Sequence, residues 1–363
     1  MANANLKQAR KAKNDEFYTQ WADIEKEIMA YIDYNPNVFR DKTILLPCDD
    51  PEWSNFTKFF AQNFEAFGLK KLISTSYAYE SKKVNMPYQT SLFEEQAPHF
   101  NPDINKVKGK IFTLDHDTNQ NGVIDIEDLE WQYLEGDGDF RSDEVKKLRD
   151  EADIIITNPP FSLFREFLAW IVEANKLFVT IGSKNIITYK EVFKLIKENR
   201  LWVGTTSFNK DMLFIPPVII NPSDKPDTAT RTIDGVTYLR SPAVWFTNIE
   251  HGRRHQPLQL MTMADNIKYS KHKGVKGQEY QKYDNYNAIE VPFTDSIPSD
   301  YNGVMGVPIS FLDKYNPEQF ELLGIMNTGE ENVGIRYPNT PHGRPVVNGK
   351  EIYLRILIKK RGV

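Results

Sequence analysis

An apolar run that ends abruptly in polar and proline-rich sequence, Asp153-Ile-Ile-Ile-Thr-Asn158-Pro159-Pro160-Phe161, carries the sharpest chemistry in this chain. The isoleucines predict a buried strand, and an α/β sheet presents its ligand beyond the carboxyl ends of its strands. The Asn158 amide oxygen and the Pro159 carbonyl can each accept a hydrogen bond from an exocyclic NH2 group on a planar ring. Pro159 and Pro160 stiffen that backbone and donate no hydrogen bond of their own. Phe161 supplies a flat face against which a base can stack. A bare Asn-Pro-Pro is a turn with a buried aromatic; its place at the end of a strand favours a site for a planar amine.

A second pattern is Asp117-Thr-Asn119-Gln-Asn121-Gly122-Val123-Ile124-Asp125-Ile-Glu-Asp128. It fits a 12-residue calcium loop, with ligands expected from Asp117, Asn119, Asn121, the Val123 backbone, Asp125 and Asp128, and glycine at the sixth place. The last residue is Asp where such loops usually have Glu, and no entering helix precedes it. The expectation is a structural Ca2+ ion in an insertion; the alternative is a metal-free acidic turn.

These residues need a scaffold, and the hydrophobic pattern supplies one. Trp21, Ile24, Ile28 and Ile32 mark an amphipathic helix. Thr43 to Leu46 reads as a buried strand, and Phe56, Phe59, Phe60, Phe64 and Phe67 lie on one helical face ended by Gly68. Strands are predicted at Lys71 to Thr75, Lys110 to Leu114, Asp153 to Thr157, Leu177 to Ile181 and Leu201 to Val203. Helices fall at about Phe161 to Ala174 and Tyr189 to Asn199. Such alternation implies a doubly wound, mostly parallel sheet. Met212 to Ile220 and Thr237 to Ile249 suggest a closing antiparallel pair, and the character changes beyond His251. A domain boundary is expected near residue 255.

With these motifs in order, the chain resembles the EcoRI-type adenine-specific DNA methyltransferases, which use S-adenosylmethionine (SAM). The likeness rests on Asn14-Asp-Glu-Phe-Tyr-Thr19, Cys48-Asp-Asp-Pro-Glu-Trp-Ser-Asn-Phe56, Gly136-Asp-Gly-Asp-Phe-Arg-Ser142 and Thr157-Asn-Pro-Pro-Phe-Ser-Leu-Phe-Arg165. It implies a Rossmann-like class I methyltransferase fold with an antiparallel closing strand. Residues 1–255 would form the SAM-binding catalytic domain, and 256–363 a smaller target-recognition region. Asn158, Pro159, Pro160 and Phe161 would be catalytic. Phe17, Tyr18 and Thr19 would pack against the methionine part of the cofactor. The loop of Cys48, Asp49, Asp50 and Pro51 would cradle it, and Asp139 with Phe140 would hold its adenine. The second strand ends Ser74-Thr-Ser-Tyr77, without the carboxylate that usually grips the ribose. Trp245-Phe246 is read either as a second aromatic wall for the target base or as core.

The net charge of −5 at first argues against a DNA partner. Its distribution reverses that. Residues 115–153 hold fourteen acidic side chains against four basic ones, a net of −10, so the other 324 residues carry +5. Within 251–282, Arg253, Arg254, Lys268, Lys271, Lys273, Lys276 and Lys282 face only Asp265 and Glu279, with Tyr269 and Tyr280 interleaved and Tyr283 next in sequence. Such a stretch suits phosphate contacts on double-stranded DNA. Arg253, Arg254, Lys268, Lys271, Lys273 and Lys276 are the expected DNA-binding residues. Cys48 is the sole cysteine, which excludes a disulfide scaffold and points to a reducing cytoplasm. No apolar run is long enough for a membrane span, and the polar, basic start predicts no signal peptide.

The function expected is transfer of a methyl group to N6 of a flipped-out adenine, in the modification half of a restriction-modification system beside a cognate endonuclease. A methyltransferase acting on RNA or on a protein glutamine amide is the alternative, since these too use Asn-Pro-Pro-aromatic. A calcium-binding interaction protein would account for residues 117–128 alone.

Overall fold

A computed structural model describes residues 18–49, 54–78, 101–215, 230–326 and 343–362. The chain forms two compact units: residues 1–183 with 210–249, and residues 184–209 with 250–363.

The central sheet of the first unit contains β2 (Thr43–Leu46), β3 (Lys71–Ser76), β4 (Lys110–Leu114), β5 (Glu130–Tyr133), β6 (Ile154–Thr157) and β7 (Leu177–Ser183). In space they run β5-β4-β3-β2-β6-β7, followed by a closing strand, Ala243–Thr247. β3, β2, β6 and β7 are mutually parallel. β4 and β5 run antiparallel on one flank, and the closing strand lies antiparallel to β7 on the other. The parallel centre is the sheet expected from the alternation, and it agrees with the Rossmann-like fold that the resemblance implies. The centre is buried on both faces, as the four consecutive buried residues of both β2 and β6 record. The reversal at β4 was not foreseen: its pattern alternates between buried and half-buried positions, the signature of a flank strand.

Helix α1 (Trp21–Tyr34) buries Ile24, Ile28 and Tyr31 at helical spacing. The phenylalanine run folds as α2 (Asn55–Gln62) and α3 (Phe64–Phe67), capped by Gly68 in the left-handed region at φ 63°. Phe60 meets Phe59, Phe39 and Phe67 edge-on, with ring centroids 5.4, 5.7 and 6.0 Å apart. Edge-to-face pairs of this kind add about 0.5–1.5 kcal/mol each beyond their buried area. On the sheet's second half, α5 (Asp143–Glu151), capped by the Ser142 hydroxyl, precedes β6, and α6 (Phe164–Glu173) follows it. The short α4 (Pro102–Val107) leads into β4.

The stretch expected as one closing pair divides between two sheets. β1 (Tyr18–Thr19) pairs with Met212–Ile215, which pairs with Val236–Ser241, which turns back on Thr230–Ile233. Ala243–Thr247 then crosses to the central sheet. Trp245 and Phe246 are fully buried there, packed against Phe56 and Phe164, so they are core.

The second unit holds a four-stranded sheet ordered Ile289–Glu290, Met305–Pro308, Arg355–Lys360, Phe320–Ile325. The first pair is parallel and the others antiparallel. Helices Lys190–Lys197 and Met263–Tyr269 belong to the same unit.

Candidate active site

The apolar face of β6 stops at Thr157, and the chain turns out through Asn158, Pro159, Pro160 and Phe161. Asn158 is 9% exposed, Pro159 is buried, and Pro160 and Phe161 are half-buried. Phe161–Leu163 forms a single 3-10 turn that leads directly into α6. The Asn158 amide nitrogen lies 3.4 Å from the Thr19 hydroxyl, to which it donates. The Thr19 carbonyl in turn accepts from the Asn55 side chain at 2.8 Å. Backbone pairing sets Thr19 opposite Phe214, whose ring meets Phe161 edge-on at 6.2 Å. Thus three segments far apart in sequence, β1, the start of α2 and the end of β6, converge on Asn158. The roles of Asn55 and Phe214 were not foreseen, since β1 has only two residues and no periodicity to announce its pairing.

At the end of β2, Cys48 is half-buried and Asp49 is 4% exposed. The Asp49 carboxylate accepts from the Ser54 hydroxyl at 2.6 Å and from the Thr157 hydroxyl at 2.5 Å. Its backbone carbonyl accepts from Thr57 at 3.2 Å and from Ser74. A buried carboxylate needs such partners, and these tie the ends of β2, β3 and β6 together. Sequence alone assigned no role to Thr57, nor to Ser54, Ser74 and Thr157, although these three lie inside the segments it singled out. Phe17, Asp50 and Pro51 lie outside the described residues, and Tyr18 is described by its backbone alone.

The Gly136–Ser142 loop is pressed against the end of β3. A Cβ on Gly138 would stand 2.3 Å from the Ser76 carbonyl, and one on Gly109 2.6 Å from the same oxygen. This approach brings Asp139 to Tyr77, whose phenol donates to the Asp139 carboxylate. Arg141 grips the same carboxylate through Nε at 2.8 Å and a terminal nitrogen at 2.5 Å, and reaches Glu166 of α6 at 3.2 Å. Burial pushes the Asp139 carboxyl up, but the hydrogen bonds from Arg141 and Tyr77 outweigh it and hold the carboxyl at about 2. The Tyr77 phenol is pushed far above its ordinary value by burial and by Asp139. Phe140 is 2% exposed, with Phe167 and Trp170 edge-on at 5.3 and 5.7 Å. Its ring is therefore packed in the core.

The calcium expectation is not supported. Among the described residues, no group of three or more His, Cys, Asp or Glu side chains is arranged to hold a metal. The expected ligands face their own backbone instead. Asp117 accepts from the N–H groups of Asn121 and Gly122, Asn119 from Asn121, and Asn121 from Val123. Asp128, 1% exposed, accepts from the N–H groups of Thr118, Asn119 and Asp125. Asp125 caps the following 3-10 turn through the Glu127 N–H. Val123 is 47% exposed. The segment is a self-capped turn anchored on the core by Ile124, Ile126 and Trp131.

The basic stretch of the second unit separates into two kinds of residue. Arg253 donates to the Thr205 carbonyl and pairs with Asp313 at 3.3 Å. Arg254 is 4% exposed, lies 3.8 Å over the Trp202 ring and donates to Asn199. Arg253 is thus half-buried and Arg254 buried, each held by contacts within this unit. Lys268, Lys271, Lys273 and Lys276 are exposed.

A family model described as "Adenine-specific methyltransferase EcoRI" matches residues 5–361. The chain is 41% identical to the type II methyltransferase M.EcoRI of Escherichia coli, over 99% of this chain and 97% of that protein. It is 35% identical to the type II methyltransferase M.MpnI of Mycoplasma pneumoniae, over 97% of each chain. It is 34% identical to M.MgeORF184P of Mycoplasma genitalium, over 99% of each chain. No solved structure matches significantly. Among the described residues, no helix is long and apolar enough to cross a membrane. With the Asn-Pro-Pro-Phe turn at the end of β6 and matches running almost end to end, the chain belongs to the EcoRI family of adenine-specific methyltransferases.

Proposed function

We propose that this protein is the modification methyltransferase of a cytoplasmic restriction-modification system, transferring a methyl group from SAM to N6 of adenine in double-stranded DNA. The observation that carries the reading is Asn158 at the carboxyl end of β6, with its amide nitrogen on Thr19 and Phe161 beside it. The relatives' names, type II methyltransferases, favour DNA over RNA or a protein amide as substrate. A cognate endonuclease would complete the system.

The residues present fit SAM. The ends of β2 and β6 share hydroxyls and a buried carboxylate, the end of β3 leads to a phenol held on Asp139, and Phe161 after β6 meets Phe214 edge-on. That donor set suits a molecule with a charged amino-acid end and a flat base. Thr19, the Cys48–Asp49 strand end and the Tyr77–Asp139 edge would hold it, and it supplies a methyl group already activated by positive sulfur.

The adenine N6 lone pair is conjugated with its ring and is a poor nucleophile. Flipping the base out of the duplex lets the Asn158 side-chain oxygen and the Pro159 carbonyl accept from its two N–H bonds. This turns the lone pair toward the methyl carbon. With SAM held there, N6 would take the methyl group by direct displacement, the sulfur would leave with the C–S electron pair, and the amine would shed its surplus proton to solvent. Phe161 holds the base plane, so positioning supplies most of the rate. Asn158→Ala is expected to bind SAM and duplex DNA within a few-fold of wild type and to lose methyl transfer by at least about 10²-fold, the scale for removing one positioned polar group. A tritiated-methyl assay on duplex DNA, with RNA and protein acceptors alongside, tests this. Near-normal turnover of the variant, or preference for another acceptor, would sink it.

A further inference from the structure

We infer that the loop Ser270–Gly277, entered through Tyr269, is a preformed clamp for the sugar–phosphate backbone of duplex DNA, held in shape by His272. The inference deepens the methyltransferase reading and rests on it.

Lysine-rich loops containing glycine are usually mobile, and ordering them on binding weakens affinity. This one is fixed from inside. The His272 ring stacks on Phe293 with centroids 3.7 Å apart and planes 6° from parallel. Its Nε2 lies 2.9 and 3.1 Å from the two Asp295 carboxylate oxygens. The His272 carbonyl accepts from the N–H groups of Val275 and Lys276, and the Gly277 N–H closes on the Ile267 carbonyl at 2.8 Å. Val275 is 3% exposed. With the interior so occupied, the lysines can project only outward.

Their charges are not equivalent. Asp295 neutralises Lys271 at 2.9 Å. Lys268, Lys273 and Lys276 are exposed and form no ion pair among the described residues. Tyr269 is 60% exposed, with the Lys268 ammonium 4.9 Å from its ring. Tyr280 and Tyr283 differ: one donates to the Ser296 carbonyl and the other is 6% exposed. An outward ring among unpaired ammonium groups matches a polyanion that also carries apolar sugar faces, which is the outside of a nucleic-acid strand.

The test is duplex binding by fluorescence anisotropy across a salt series, using the full-length protein with S-adenosylhomocysteine. The double variant Lys273→Gln, Lys276→Gln should flatten the slope of log K against log salt by about 1.8, roughly 0.9 for each phosphate no longer neutralised. It should weaken cognate and unrelated duplexes alike. His272→Ala keeps every lysine, so its slope should stay near wild type while affinity falls several-fold. His272→Phe, which retains the stack, should recover most of that loss. S-adenosylhomocysteine binding should be unchanged in all three, which reports that they fold. An unchanged slope in the lysine variant overturns the clamp, and unchanged affinity in His272→Ala overturns its preformed shape. A wild-type protein that binds no duplex overturns the methyltransferase reading together with the clamp.

Discussion

At Gly138 the backbone leaves no room for a side chain. Its φ is +84°, and an added methyl would stand 2.3 Å from the Ser76 carbonyl. Gly122 shares the left-handed φ, at +89°, but has nothing within 4 Å. The two separate conformational strain from steric exclusion. Gly122→Ala is expected to cost about 1 kcal/mol, the penalty for an alanine in that region. Gly138→Ala should cost about 2–4 kcal/mol, because the loop and the end of β3 must also move apart. Denaturant unfolding of the pair measures the difference, and equal losses would mean that the Ser76 approach is not fixed. Beyond stability, Gly138→Ala should loosen SAM, since Asp139 reaches Tyr77 only through this close approach. Sequence showed the residues that are chemically distinctive, Asn158 through Phe161, and placed them at a strand end. It did not show their partners: a hydroxyl such as Thr157 or Ser54 becomes part of the site only through a carboxylate more than a hundred residues from one of them and five from the other.

Elements were legible where burial is two-sided. The isoleucine run of β6 and the apolar run of β2 announced strands because both faces are covered. The direction of β4 was not legible, since local pattern encodes burial and leaves polarity open. The surroundings of Arg254 were not legible for a related reason: sequence gives charge, while the turn Gly252–His255 decides that Arg254 folds back over Trp202. Beside that turn, His251 is 2% exposed and its Nε2 lies 3.1 Å from the Val203 carbonyl, to which it donates. Burial is the main cause that lowers the imidazole from its ordinary 6.5 to about 4, with the neighbouring Arg254 and Arg253 acting in the same direction against the opposing Val203 bond. The unfolded chain therefore takes up this proton first. The stability contributed by neutral His251 is complete above pH 6.5 and is lost as pH falls from there toward 4, by about 3 kcal/mol at most. His251→Gln should remove that part of the pH dependence. Wild type and variant should differ most at pH 7.5 and converge by pH 4.5 in denaturant midpoints. A constant difference across that range would place the titration elsewhere.

For the whole molecule, a charge of −5 is the sum of a −10 segment and a +5 remainder, and only the local values matter to a polyanion. At physiological salt the screening length is about 8 Å, so acidic groups further than that from bound DNA contribute little repulsion. Glu127, Glu130 and Glu135 are exposed within the acidic segment. Changing all three to Gln takes the net charge from −5 to −2. If total charge governed binding, this variant would bind duplex DNA much more tightly. If the segment faces away from the duplex, affinity at about 0.15 M salt should change by less than about twofold. The difference should grow only as salt is lowered and the screening length reaches about 30 Å near 0.01 M. An affinity gain of tenfold or more at 0.15 M salt would place residues 127–135 against the phosphates and assign the acidic segment a direct part in weakening DNA binding.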